Sequence, residues 1–156
     1  SALLAVSDPI TLHVAPNSLA TAKGQLFLDD GVSTAHPAAL LVDFTFHCTA
    51  GVCELRSTPT RPWGHTAASH TPVAFEGAIV EAVVLRGMRL ANSTEPDGQR
   101  TKLRAELIMG TDASAKVDVS ARDTPSGLLI PRLDAAWIKG GWTIRLSGVS
   151  LAAVAS

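Results

Sequence analysis

Apolar and polar residues alternate with a period of two along much of this 156-residue chain. The clearest case is the stretch 40–48, where Val42, Phe44 and Phe46 fall on one side and polar residues stand between them. Because successive side chains of an extended strand point to opposite faces, this pattern predicts a half-buried β-strand. Phe44 is expected at the centre of its buried face.

Other short β-rich runs recur, and turn residues separate them. The further predicted strands cover residues 10–14, 24–29, 54–56, 79–85, 102–109, 116–121, 127–130 and 142–146. The run 79–85 is apolar on both sides apart from Glu81, which predicts a strand covered on both faces. The proline-containing stretch 57–74 is predicted to be a surface loop. About eight or nine strands with short turns indicate an all-β fold, a two-sheet antiparallel β-sandwich.

Length and charge narrow the possible functions. A chain of 156 residues is the size of one domain, here predicted over 1–156 with its core at about 8–147. A net charge of −1 with scattered basic residues argues against a nucleic-acid partner. No stretch approaches the ~20 apolar residues that cross a bilayer, so no membrane partner is expected. No cofactor motif is present, and none is predicted.

Cys48 and Cys53 flank a glycine-containing turn that predicts a β-hairpin. The two thiols are compatible with a metal pair, a redox pair or a disulfide. No second cysteine pair completes a zinc site, and the five histidines are dispersed. Across such a turn the Cα atoms can approach to about 5.5 Å, the usual distance in a disulfide. On the residues alone, a disulfide and two free thiols both remain open.

Two stretches near the start of the chain carry a family resemblance. Residues 8–15 read Asp-Pro-Ile-Thr-Leu-His-Val-Ala, and residues 21–31 read Thr-Ala-Lys-Gly-Gln-Leu-Phe-Leu-Asp-Asp-Gly. With the later runs 78–87 and 142–146, they resemble the distal C-terminal β-sandwich domain of glycoside hydrolase family 31 α-glucosidases. The resemblance implies a C-terminal fragment of a larger enzyme that trims glucose from N-glycans. It implies as partners the (β/α)8 catalytic barrel of the same polypeptide and, in a two-subunit member, the accompanying β subunit.

The resemblance also has consequences for location and for the cysteines. It implies the endoplasmic reticulum lumen or another part of the secretory pathway. In that oxidising compartment a disulfide between Cys48 and Cys53 is favoured over two free thiols. Asn92 begins an Asn-Ser-Thr acceptor sequence for N-glycosylation in a polar stretch, which agrees with the same location.

The chain by itself is predicted to have no catalytic residue and no metal site. Retaining glycoside hydrolysis needs two carboxyl groups about 5–5.5 Å apart, and the resemblance implies that both belong to the barrel. A barrel of ~250 residues does not fit into this length. Asp29 and Asp30 precede Gly31, where their side chains are expected to cap backbone N–H groups of a turn. A calcium site would need more oxygen ligands than this stretch supplies.

The positions of the tryptophans bear on whether the chain binds sugar. Trp63 and Trp137 are the candidates for stacking on sugar, although burial is the commoner fate of tryptophan. Trp142 alternates with Ile144 and is expected in the core. The accessory domain that packs on the barrel is therefore the leading hypothesis. A carbohydrate-binding module and a free-standing β-sandwich interaction domain are the alternatives.

Overall fold

The computed structural model describes residues 8–29, 39–60, 77–90, 104–110, 116–133 and 140–151. Within these ranges the chain forms β-strands and no α-helix, which confirms the predicted all-β class. The strands are β1 (Ile10–Val14), β2 (Thr21–Asp29), β3 (Ala39–Thr49), β4 (Val52–Thr60), β5 (Val80–Leu85), β6 (Met88–Leu90), β7 (Arg104–Met109), β8 (Lys116–Val119), β9 (Arg122–Thr124), β10 (Gly127–Ile130), β11 (Trp142–Ser147) and β12 (Val149–Leu151). None of the described segments is a helix long and apolar enough to span a membrane.

Two main sheets contain most of the described strands. The larger sheet has six strands in the order β2-β3-β4-β11-β7-β8, and the smaller has four in the order β1-β5-β10-β9. Strands β12 and β6 form a separate two-stranded ribbon. In the described part of the chain, β1 and β5 pair in parallel and the other pairs are antiparallel. A parallel pair needs a long crossover, and β2, β3 and β4 lie between β1 and β5 in the chain.

The predicted hairpin joins β3 to β4 through Ala50 and Gly51. Thr49 pairs with Val52, so the loop itself has two residues. Ala50 has a φ of 51° and Gly51 a φ of 80°. Positive φ at both central residues is what a type I′ hairpin turn requires, because its twist matches that of the flanking strands. Glycine adopts this geometry without steric cost, whereas Ala50 adopts it against its preference.

The core lies between the inner faces of the two main sheets. Val42, Phe44 and Phe46 of β3 are 0%, 6% and 2% exposed, which confirms the predicted register of that strand. From the smaller sheet, β5 and β10 contribute residues to the same core cluster, among them Val80, Val83, Leu85, Leu128 and Ile130. The two sheets therefore bury the apolar halves of their alternating strands against each other.

Strand β5 is covered on both faces, as its composition predicted. Val83 and Val84 are neighbours in an extended strand and point in opposite directions, yet they are 0% and 7% exposed. Val83 belongs to the core cluster and Val84 lies outside it. The neighbouring strand in the sheet, β10, begins at Gly127, which has a φ of 132°. A Cβ at this position would overlap the carbonyl oxygen of Leu85. Only glycine permits this close approach of β10 to β5.

The structure corrects the predicted loop at residues 57–74 in its first four positions. Strand β4 continues to Thr60, although Pro59 cannot donate a backbone hydrogen bond. Its pairing with β11 ends at Ser57. Backbone N–H groups along β4 point alternately to β3 and to β11, and the nitrogen of Pro59 points to the β11 side. Because β11 does not extend that far along β4, no hydrogen bond between strands is lost. Strands β6 and β9 were not predicted, because three residues are too few to show a period.

Candidate functional site

Charged side chains line the outer face of the larger sheet. His47, Glu54 and Arg145 lie opposite one another on β3, β4 and β11. The next strand, β7, places Glu106 opposite Arg145. Because the residues before and after each of them face the core, alternation directs this row away from the core. The row crosses four adjacent strands of one sheet.

Glu54 is at the centre of the contacts within this row. Its Oε1 accepts hydrogen bonds from Arg145 Nε at 2.9 Å and from Arg145 Nη2 at 2.8 Å. Its Oε2 lies 3.8 Å from His47 Nε2 and 4.0 Å from Arg56 Nη2. The Glu54 side chain is 18% exposed, whereas those of His47 and Arg145 are 52% and 43% exposed. The carboxylate is thus largely covered by the longer side chains around it.

This arrangement is suited to holding strands in register rather than to catalysis. General acid and base chemistry on a sugar needs two carboxyl groups that face one substrate. Here Arg145 stands between Glu54 and Glu106 in the strand register. The two bonds from Arg145 fix the orientation of the Glu54 carboxylate against one guanidinium. Among the described residues, no group of three or more His, Cys, Asp or Glu side chains could hold a metal ion.

The two cysteines face each other across the β3–β4 hairpin. Their Sγ atoms are 2.01 Å apart and their Cα atoms 4.0 Å apart. The N–H of Cys48 donates to the carbonyl of Ala20, on the β2 side, at 3.1 Å. Cys48 and Cys53 are therefore a non-hydrogen-bonded pair, the class in which side chains of opposed strands come closest. Linkage of the two thiols in expressed protein stays a prediction that thiol labelling can test.

Most of the other site residues chosen from the sequence lie outside the described residues. These are Asp30, Gly31, Trp63, Asn92 and Trp137. Asp29 is the last described residue of β2, where it pairs with Ala39. The roles proposed for these residues remain predictions.

Trp142 is in the core, as its alternation predicted. It is 1% exposed, and its ring centroid lies 6.1 Å from that of Phe44. Phe44 and Trp142 are both cross-strand partners of Ser57, so the two rings meet above this small residue. This tryptophan stabilises the sandwich and is not available to stack on sugar.

The large apolar side chains that are exposed in the described ranges do not form one surface. They are Leu19, Phe27 and Val52, at 78%, 57% and 37% exposure. Leu19 and Val52 lie at the end of the larger sheet that contains the β3–β4 turn. Phe27 lies near the other end of β2, roughly 20 Å away at 3.3 Å per residue. Within these ranges Phe27 is therefore an isolated exposed aromatic and not half of a stacking platform.

The Glu54 and Arg145 pair was not among the residues chosen from the sequence. The two residues are 91 positions apart, and no motif links them. The available signal was the alternation in the strands predicted at 54–56 and 142–146, which places both side chains on polar faces. That signal identifies the face of each strand but not which strands are neighbours.

Comparison with known proteins gives a structural likeness without a sequence match. No family model matches the chain, and no curated protein matches it. Among solved structures, the α subunit of glucosidase II with bound Glc1Man2 superposes with a TM-score of 0.62 at 16% identity. The same subunit bound to DNJ gives a TM-score of 0.61, also at 16% identity. In both cases the match covers 92% of this chain and 15% of the other.

A likeness at this identity establishes the fold. The chain shares a β-sandwich architecture with part of the glucosidase II α subunit and spans about one-seventh of that subunit's length. The match therefore indicates a domain of the kind found within a larger protein. The catalytic activity of the whole subunit is not carried over by fold alone.

Proposed function

We propose that this chain is a non-catalytic accessory domain of a family 31 α-glucosidase and that it packs on the (β/α)8 catalytic barrel and stabilises it. The observation that carries the proposal is the structural likeness to one portion of the glucosidase II α subunit over 92% of this chain. The sequence runs at 8–15 and 21–31, which resemble the same family, also support it. The parent enzyme in this proposal trims glucose from N-linked glycans.

The outer face of the smaller sheet is suited to the barrel contact. Leu129 of β10 is half-buried and offers the remaining apolar surface there, beside its cross-strand partner Val84, which this chain already covers to 7% exposure. His13 lies beside Val84 on one edge strand, and Arg122 lies beside Leu129 on the other. An apolar centre with a polar rim is typical of contacts between folded units. The outer face of the larger sheet has the Glu54 and Arg145 ion pair in the corresponding place.

The test is to express the full-length parent enzyme with and without residues 8–147. If the domain supports the barrel, its deletion should lower the soluble yield and the thermal midpoint of the enzyme before it changes substrate preference. Normal yield and stability together with a raised KM for glycan would reject the supporting role and favour a carbohydrate-binding module. The isolated chain is expected to hydrolyse no chromogenic α-glucoside, and turnover that survives repurification would reject a non-catalytic domain.

A pair of point variants tests which face makes the contact. Leu129→Lys places a charge at the centre of the proposed interface, and Thr143→Lys does the same on the outer face of the larger sheet. Both positions are half-buried. We expect Leu129→Lys to lower the thermal midpoint of the full enzyme more than that of the isolated chain. An equal fall of the thermal midpoint in both proteins, or a larger fall from Thr143→Lys, would show that the contact lies on another face.

The location and further partners follow from the same proposal. The chain belongs to the endoplasmic reticulum lumen or the secretory pathway, which agrees with the facing cysteines Cys48 and Cys53. A glucosidase II β subunit is then a candidate partner of the parent enzyme. Asn92 carries the N-glycan in this proposal. Secreted expression followed by endoglycosidase treatment should shift the electrophoretic mobility of the chain, and an Asn92→Gln variant should show no shift.

A further inference from the structure

Among the described strands, β2 is an edge of the larger sheet, with β3 as its one neighbour. Its other side faces no described strand. Since the N–H of Cys48 donates to the carbonyl of Ala20, alternate residues from Ala20 onward face β3. Lys23, Gln25 and Phe27 therefore direct their N–H and C=O groups away from β3.

The first residue of this edge, Thr21, is already hydrogen-bonded to Asn17 of the same chain. Asn17 Oδ1 accepts a hydrogen bond from the N–H of Thr21 at 3.0 Å, and the N–H of Asn17 donates to the carbonyl of Thr21 at 2.9 Å. Thr21 is thereby satisfied on the side where a further strand would pair. From residue 23 onward no described residue does the same, and the register with β3 runs without a bulge to Asp29. Edges that are long, regular and unprotected are those that pair with another chain.

The inner face of β2 is also incompletely covered. Leu26 and Leu28 pack against the core cluster yet remain half-exposed. Gly24 faces the same way but is exposed, and a Cβ there would meet nothing within 4 Å. The sheet opposite has four described strands against six, which agrees with this incomplete cover. Apolar side chains on a partly covered edge gain burial when the sheet is extended.

The sequence of β2 is complementary to itself in one antiparallel register. When Gln25 lies opposite Gln25 of a second copy, Gly24 lies opposite Leu26 and Ala22 opposite Leu28. Each large side chain on the inner face then meets a small one. On the outer face Lys23 lies opposite Phe27, which is 57% exposed and so offers its ring to the ammonium group.

We propose that two copies of this chain associate through their β2 strands, antiparallel and centred on Gln25, and extend the larger sheet across a two-fold axis. The residues that pair in this register are those whose backbone groups point to the free side. Three pairs supply about six hydrogen bonds. The contact is isologous, so it closes at the dimer. It is a small interface, and dissociation on the order of 100 μM is expected.

The first test is the mass of the 156-residue chain in sedimentation equilibrium between about 0.02 and 1 mM. The mass is expected to rise from 16.2 kDa towards twice that value with increasing concentration. Gly24→Val should abolish the rise because its side chain would meet Leu26 of the second copy. Its monomer should keep its thermal midpoint at low concentration, since the space beside Gly24 is open. Thr45→Val, an exposed position on β3, is the matched control and should dimerise normally.

A cysteine scan of β2 tests the register itself. Oxidation should link two copies of a Gln25→Cys variant, because residue 25 faces its own counterpart. Lys23→Cys and Phe27→Cys should form little covalent dimer separately, and a mixture of these two variants should link. A mass that stays at 16.2 kDa at ~1 mM would overturn the proposal. Equal linking by all three single variants would overturn the register, as would a Gly24→Val variant that dimerises normally. These results do not depend on whether the chain supports a glucosidase barrel.

Discussion

Replacement of Phe44 by alanine is the most direct perturbation of this sandwich. Phe44 lies in the middle of β3, is 6% exposed and contacts the ring of Trp142. Its cross-strand neighbours on the inner face are Gly24 on β2 and Ser57 on β4. Both neighbours are small, so neither can fill the space that the lost ring leaves. The cavity is therefore expected to remain open.

The expected loss of stability follows from these surroundings. A buried phenylalanine removes about 150–250 Å² from water, which is worth roughly 4–6 kcal/mol at 25 cal/mol per Å². Part of that area is retained by the alanine Cβ, and measured Phe→Ala losses in cores are about 3–5 kcal/mol. Because the site cannot collapse onto Gly24 or Ser57, we expect the upper part of that range, about 4–5 kcal/mol. For a domain of this length the thermal midpoint should fall by about 8–20 °C.

Urea unfolding monitored by tryptophan fluorescence measures this loss, with linear extrapolation to water. The matched control is Thr45→Ala, one residue along the same strand with its side chain exposed on the outer face. That variant should stay within about 0.5 kcal/mol of the parent. A loss below about 1 kcal/mol for Phe44→Ala, or a larger loss for the control, would show that the register of β3 is wrong.

Three further predictions concern the backbone and the cysteines. Gly127→Ala should destabilise the chain by about 3 kcal/mol or more in the same assay, because the new Cβ overlaps the carbonyl of Leu85, and near-parent stability would contradict that close approach. Ala50→Asn should raise stability by about 0.5–1 kcal/mol, since Asn-Gly suits a turn with two positive φ angles, and a loss would argue against that turn type. Denatured, unreduced protein made under oxidising conditions should show no free thiol, and labelling of both Cys48 and Cys53 would refute the bridge.

The sequence alone was sufficient for features that depend on neighbouring residues. Alternation over residues 40–48 identified the buried face of β3, and the same rule assigned Trp142 to the core. The short turn at Ala50 and Gly51 was visible because glycine supports positive φ. These features are local, since the face of each side chain follows from its position in the strand. The disagreement at Pro59 has the same origin, because a proline ends a strand only where a neighbouring strand needs its N–H.

Pairing between distant strands was decided by the tertiary structure. The parallel contact of β1 with β5 and the order of the six-stranded sheet join segments that the sequence does not connect. The ion pair of Glu54 with Arg145 depends on that order, since the two residues are 91 positions apart. The exposed edge at β2 likewise exists only because no described strand follows it in the sheet. Alternation determines which face a side chain occupies, but the neighbour across the sheet depends on the burial of the whole core, to which every strand contributes.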